Sequence, residues 1–248
     1  MWTVFDSVAL PGEPVAVLAR FERRLFGVLR WFSAGVDARF EVEGRRIETR
    51  TEGGGYAQAF LPSLPTKGMR AVSLEPTSAG QGAAWVEPAD RPLLITDLDQ
   101  TISQPSAFSF WWRPLNSIEP FPGALETLRK AAETRLIVYL TARIDLVLGK
   151  TRAWLKQRGF PDGPVFCRHR RSPGATSEAF KRETVALLKN RWPRISFGIG
   201  DKELDVRAYT ANQVPAIRFA PSPASAPPSI DGVRTCASWA EIDEIVNR

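Results

Sequence analysis

The chain has 248 residues, 44% hydrophobic and 24% charged, which suits one or two folded domains and excludes disordered chains and collagen-like repeats. A formal net charge of +6 points to an anionic partner without choosing between a phosphate ester, nucleic acid or a lipid surface. Two cysteines, Cys167 and Cys236, are too few for a disulfide framework and predict free thiols in a reducing, cytoplasmic setting. No run approaches the ~18 apolar residues of a membrane span. The start, MWTVFDSVALPGEP, lacks the basic-then-apolar pattern of a signal peptide. A soluble protein is expected, with peripheral membrane contact left open.

The first ninety residues predict β-structure. PVAVLARF (Pro14 to Phe21), VDARFEVEG (Val36 to Gly44), GYAQAFLP (Gly55 to Pro62) and MRAVSLEP (Met69 to Pro76) are short, partly alternating runs bounded by Gly and Pro. In the second, Ala38, Phe40 and Val42 alternate with Arg39, Glu41 and Glu43, as on a half-buried strand. A small sandwich is expected over residues 1–90. Between its strands, ERRLFGVLRWFSAG (Glu22 to Gly35) reads as a strand pair, a core-facing helix or a membrane-surface segment.

The composition shifts at Glu87 to Pro92, and residues 91–248 then alternate between strand and helix. LLIT (Leu93 to Thr96), LIVYL (Leu136 to Leu140), ISFGIG (Ile195 to Gly200) and VPAIRF (Val214 to Phe219) are continuous apolar strands. GALETLRKAAE (Gly123 to Glu133), IDLVLGKTRAWLKQR (Ile144 to Arg158, stopping at Gly159) and SEAFKRETVALLKN (Ser177 to Asn190) have helical spacing. Ser238 with Glu241 reads as a capping box opening a last helix. PSPASAPPS (Pro221 to Ser229) is a loop. The alternation predicts a Rossmann-like parallel sheet with helices on both faces.

The chemistry gathers at the strand ends. After LLIT come Asp97 and Asp99, with Thr101 behind them. Residues two apart on extended chain face the same way, so both carboxylates can enter one site where open α/β sheets bind ligands. Their repulsion is relieved by a hard cation such as Mg²⁺. LIVYL ends in Thr141, followed by Arg143. Lys181 lies on a helix, and ISFGIG ends in Asp201 with Asp205 four later, on one helix face.

These four elements in this order resemble the motifs of the haloacid dehalogenase superfamily: Asp97, Asp99 and Thr101, then Thr141, then Lys181, then Gly200 and Asp201 with Asp205. YLTAR (Tyr139 to Arg143), TRAWL, GFPDGPV, FK (Phe180, Lys181) and DVRAY are similar to the catalytic domain of lipin-type phosphatidate phosphatases and to the related domain of phosphatidylinositol-transfer proteins. Those families often carry an immunoglobulin-like sandwich, and TEGGGYAQAFLP (Thr51 to Pro62) is similar to the sandwich of bacterial and fungal phosphatidate phosphatases. Gln100 stands where lipin-type enzymes usually have Gly, and Asp201 where they commonly have Asn. The transfer-protein domain is thought to lack the Asp pair that this chain keeps. The resemblance implies a minimal-cap fold and Mg²⁺-dependent phosphomonoester hydrolysis, best matched by phosphatidate to diacylglycerol. It implies Asp97 as nucleophile, Asp99 as general acid and base, and Thr141 and Lys181 as phosphate ligands; Arg143, just after Thr141, reads either as a further phosphate ligand or as a structural ion pair. It implies Mg²⁺ held by Asp97, Asp201 and the main-chain carbonyl of Asp99, with Asp205 behind. Alternatives are phosphatidate sensing without turnover, and a phosphatase for a nucleic-acid end or small metabolite.

Only a short flap fits between Asp97 and Thr141; the resemblance then implies a large or surface-bound substrate, such as a lipid headgroup at a membrane or a phosphorylated macromolecule. Its Phe108, Phe110, Trp111 and Trp112 read as packing or as a membrane-dipping or substrate-covering edge. CRHRRS (Cys167 to Ser172) is the densest basic run, and its lone His169 has no part in the implied mechanism. Residues 1–90 carry a net of −1 and residues 91–248 a net of +7. Arg143 to Arg194 alone carries 13 basic and 4 acidic residues.

Overall fold

The computed structural model describes residues 1–25, 29–64, 67–75, 82–174, 176–222 and 232–248. It divides into two compact units, Met1–Pro88 and Ala89–Arg248.

Among the described residues, the first unit contains β1 (Trp2–Val4), β2 (Ser7–Ala9), β3 (Val15–Leu25), β4 (Leu29–Phe32), β5 (Asp37–Val42), β6 (Arg45–Arg50), β7 (Tyr56–Leu61), β8 (Gly68–Glu75) and β9 (Gly82–Val86). One sheet joins β1, β3 and β4, with β7 also on β3; the other runs β2-β9-β8-β5-β6. The pairs are antiparallel except β2 with β9, which is parallel. Alternating residues of both sheets build one core, including Val17, Phe40, Leu61, Leu74 and Val86. On β5, Ala38, Phe40 and Val42 point inward as their spacing predicts. Its outward Asp37, Arg39 and Glu41 each face an opposite charge on β6, at Arg50, Glu48 and Arg46. Such charged pairs discourage further strand addition at this edge. The Glu22 to Gly35 segment is strand on both sides of residues 26–28, which lie outside the described residues, as does most of the Pro221 to Ser229 loop. Of the readings given for the Glu22 to Gly35 segment, the described residues bear out the strand pair, β3 against β4, rather than a helix. The buried Arg20 guanidinium lies 4.8 Å from the centre of the Phe32 ring, satisfying part of its charge by a cation–π contact.

The second unit contains β10 (Leu93–Thr96), α1 (Ala107–Trp112), α2 (Ala124–Ala132), β11 (Leu136–Ile144), α3 (Leu148–Arg158), β12 (Val165–Arg168), α4 (Ser177–Arg191), β13 (Ile195–Gly200), α5 (Glu203–Thr210), β14 (Ala216–Phe219), β15 (Val233–Cys236) and α6 (Trp239–Val246). Its sheet is parallel throughout, in the order β12-β11-β10-β13-β14-β15. This is the Rossmann-like parallel sheet that the alternation predicts, with β10 central and buried along its whole length. Continuous apolar strands read this way because helices cover both faces of such a sheet. The strand order reverses at β10, so its C-terminal end opens the crevice where ligands bind. Among the described residues, no helix is long and apolar enough to cross a membrane.

Candidate active site

β10 ends at Thr96, and the Asp97 amide continues the ladder by donating to the Ile199 carbonyl at 2.9 Å. The chain then folds around one acceptor. The Leu98 carbonyl receives the amides of Ile102 and Ser103 at 3.1 and 2.9 Å and the Ser103 hydroxyl at 3.0 Å. This tight loop requires Gln100 at φ +57°, the left-handed region where Gly is unstrained. The departure noted in the sequence thus falls where backbone strain is stored.

Lys181 lies on the inward face of α4 with Phe180, Thr184, Val185 and Leu188. That helix starts at Thr176, whose hydroxyl accepts the Ala179 amide at 3.1 Å. The buried Lys181 ammonium donates to Asp97 Oδ1 at 2.7 Å and to Asp205 Oδ1. Burial alone opposes its charge, but Asp97 and Asp205 together outweigh that and push its pKa up. Asp205 sits in the first turn of α5 and accepts the Lys202 amide at 3.2 Å. Asp201 precedes α5 rather than sharing its face, so the two acids converge through the turn after β13 and not by helical spacing. Two glycines of β13 make that turn fit. A Cβ on Gly198 would stand 2.3 Å from the Tyr209 ring, and one on Gly200 would stand 2.4 Å from Asp205 Cβ.

Carboxylate oxygens of Asp97, Asp201 and Asp205 lie within 4.8 Å of one another. Burial, followed by the charges of Asp97 and Asp205, pushes Asp201 up to about 7. Burial also raises Asp205, against the opposing pull of Lys181. A hard divalent cation fits these residues. Every donor is a carboxylate oxygen, and four aspartates against Lys181 and Arg143 leave two negative charges when all are ionised.

Asp99 is held elsewhere. Arg143, at the irregular end of β11, donates to it through Nε at 3.0 Å and through Nη2 at 2.8 Å. The same guanidinium reaches Thr151 at 3.1 Å and Ser103 at 3.2 Å, and its Cζ lies 3.4 Å from the centre of the Phe110 ring. Burial raises the Asp99 pKa, while Arg143 pulls the other way. The structure therefore gathers Asp97, Asp201, Asp205 and Lys181, and sets the Asp99 side chain and Arg143 beside them as a separate pair. Of the two readings of Arg143, phosphate ligand or structural ion pair, the structure shows an ion pair with Asp99. Thr141 is buried in β11 beside Cys167 of β12, before the irregular stretch that ends the strand, its hydroxyl accepting the Arg143 amide at 3.2 Å. Thr101 reaches Asp201 at 3.4 Å.

The flap is braced. Its ends meet at the Ser103–Pro120 bridge. The Lys150 ammonium, on α3, donates to the carbonyls of Phe110, Trp111 and Arg113 at 2.7, 2.8 and 2.6 Å. Trp154 donates to the Ile118 carbonyl at 2.9 Å. Sequence reasoning did not find the roles of Ser103, Thr151, Phe110 and Lys150. Nothing local marks a Thr eight residues from an Arg as its partner, though the two glycines inside the apolar ISFGIG run do signal close backbone approach.

The sequence model of a family described as PITM 1-3, LNS2 domain matches residues 95–218. No curated protein matches the chain. Among solved structures, D,D-heptose 1.7-bisphosphate phosphatase from B. bronchiseptica, complexed with magnesium and phosphate, is 16% identical, with 62% of this chain and 96% of that chain covered and a TM-score of 0.44. A Had-superfamily hydrolase from Ehrlichia chaffeensis is 12% identical over 63% and 97%, with a TM-score of 0.42. A chain of the Pnkp1/Rnl/Hen1 RNA repair complex is 15% identical at a TM-score of 0.45; the match covers 54% of this chain and only 43% of that one.

Proposed function

The chain belongs, through residues 95–218, to the PITM 1-3, LNS2 domain family, and because it keeps both Asp97 and Asp99 we propose that it is a Mg²⁺-dependent phosphomonoesterase acting on phosphatidate. The observation that carries the reading is Asp97: a buried carboxylate tied to Lys181 and grouped with Asp201 and Asp205, two residues before an acid paired with Arg143.

In the first step the Asp97 carboxylate attacks phosphorus, an aspartyl-phosphate forms, and the ester P–O bond breaks. Protonated Asp99 gives its proton to the departing alkoxide, releasing diacylglycerol. In the second step Asp99 takes a proton from water as that water attacks phosphorus, freeing Asp97 and inorganic phosphate. The raised Asp99 pKa suits a group that must hold and then return a proton. Lys181 neutralises charge on the transferring oxygens, and the Thr141 hydroxyl orients them. Asp97, Asp201 and Asp205 would hold Mg²⁺, which when bound supplies Lewis-acid neutralisation of the phosphoryl oxygens.

A second reading, phosphatidate recognition without turnover, is favoured by one feature: Asp99 is engaged by Arg143 at both of its oxygens. Phosphate release from phosphatidate in mixed micelles with Mg²⁺, by wild type and Asp97→Asn, separates the two. Release by wild type alone, with at least about a 10³-fold loss in the variant, supports the phosphatase. Lipid binding with no release by either supports the sensor. Release from soluble monoesters or nucleic-acid ends but not from phosphatidate would move the substrate to those classes.

A further inference from the structure

We propose that α1 is the element by which this protein sits on an anionic phospholipid bilayer, with its outward aromatic edge as the contact. The inference rests on the phosphomonoesterase reading only for the identity of the substrate; the surface argument is independent of it.

Two faces of a six-residue helix are used differently. Phe110 points inward, fully buried, with its ring on the Arg143 guanidinium and edge-on to Trp154 at 6.2 Å. Phe108 and Trp112 point outward at 78% and 73% exposure, and Trp111 is 36% exposed. Leaving three large aromatics in water on so short a helix is costly unless they meet something. The helix is not loose: Lys150 donates to two of its carbonyls, Phe110 and Trp111, and to that of Arg113 just after it, and the flap ends are bridged at Ser103 and Pro120. The outward rings are thus presented by a fixed support.

Size and charge select the occupant. A protein partner needs roughly 800 Å² on each side, far more than this helix offers. A bilayer interface suits Trp and Phe at the headgroup level and needs no matching shape. The loops leaving β10, β11 and β12 lie at one end of the parallel sheet, so other groups share this edge. Arg113 follows α1 directly and is exposed, as are Arg170 and Arg171 beyond β12. Ile144, at the end of β11, is 41% exposed. Basic side chains around an aromatic edge match an anionic leaflet. Because Phe110 joins α1 to Arg143 and Asp99, a bilayer bound there brings its headgroups to the catalytic end of the sheet.

The test uses the full chain and the double variant Phe108→Ser/Trp112→Ser, which alters exposed side chains outside the catalytic cluster. Vesicle flotation is measured on phosphatidylcholine with and without phosphatidate, alongside thermal melting and hydrolysis of p-nitrophenyl phosphate with Mg²⁺. Wild type is expected to float with phosphatidate vesicles, and the variant to lose at least about tenfold in partitioning, with melting temperature and soluble-substrate hydrolysis unchanged. Equal flotation of both proteins overturns the proposal, as does failure of wild type to float. A concentration-dependent dimer abolished by the double variant, without vesicle binding, overturns it in favour of a contact between copies. Flotation through α1 without any hydrolysis leaves the docking surface standing and removes the phosphatase reading. Hydrolysis of the soluble ester without flotation does the reverse.

Discussion

Asp201 and Arg143 have roles that only their neighbours define. Asp201 is pushed up to about 7 by burial and by Asp97 and Asp205. Its folded-state pKa thus exceeds the unfolded value near ~3.9. Between those values the folded chain holds the extra proton, so without metal this group's contribution to stability falls as pH rises from about 4 to about 7. A divalent cation needs the deprotonated form, so its stabilisation grows over the same window. Thermal melts in chelator and in saturating Mg²⁺ are expected to differ little at pH 5 and by about 5–10 °C at pH 7.5; an equal gap at both pH values would contradict the assignment. Arg143, just past Thr141, reads from the sequence as a phosphate ligand or a structural ion pair, and the structure shows it paired with Asp99. The eventual partner, Asp99, is 44 positions away, and nothing in the spacing favours it over a substrate. The two roles predict different kinetics. A phosphate ligand replaced by Lys raises KM. A group that positions Asp99 lowers kcat instead, since Lys cannot reproduce the fork and stack, and we expect a fall of about 10²-fold with KM little changed. Arg143→Met leaves Asp99 buried without its counter-charge and is expected to cost about 3–5 kcal/mol in stability, measured by urea unfolding.

At the scale of elements, legibility followed hydrophobic continuity. β10, β11, β13 and β14 were visible as apolar runs because each is buried in a covered parallel sheet. Polar β6, the short β12 and β15, and the six-residue α1 were not, since none carries enough apolar periodicity to stand out. The order of Asp97, Thr141, Lys181 and Asp201 was legible because each lies at or near the end of a readable element. What joins α1 to the sheet was not, because the Lys150 contacts go to main-chain carbonyls that any sequence supplies. β13 shows how an element sets a site without donating a side chain to it. Gly200 lies against Asp205, and Gly198 against the Tyr209 ring. Gly200→Ala must therefore push α5 away from the sheet or rotate Asp205 off Lys181. Overpacking of this kind costs roughly 1–3 kcal/mol. We expect that loss in urea unfolding, together with a loss of Mg²⁺-dependent stabilisation; a variant that melts lower yet keeps its full response to Mg²⁺ would place the strain elsewhere.

For the whole molecule, the question is whether catalysis belongs to one unit. Each sheet closes within its own unit, and the first has its own core from Trp2 to Val86. All six residues of the proposed chemistry, from Asp97 to Asp205, fall in Ala89–Arg248. That unit of 160 residues is within the range in which a single core folds alone. Charge is divided in the same way: residues 1–90 are close to neutral while residues 91–248 carry +7. A protein starting at Ala89 should therefore melt cooperatively and hydrolyse p-nitrophenyl phosphate with a kcat within about threefold of the full chain, since preformed catalytic geometry sets the chemical step. Its hydrolysis should weaken with added salt as in the full chain, because the basic excess that attracts the anion stays with it. A fragment that folds but loses more than tenfold in kcat on this small substrate would show that the sandwich completes the site. One that keeps kcat on the small ester but fails on phosphatidate vesicles would instead give the sandwich a part in presenting the lipid. The two substrates thus separate chemistry from presentation, a distinction that neither net charge nor strand order can make.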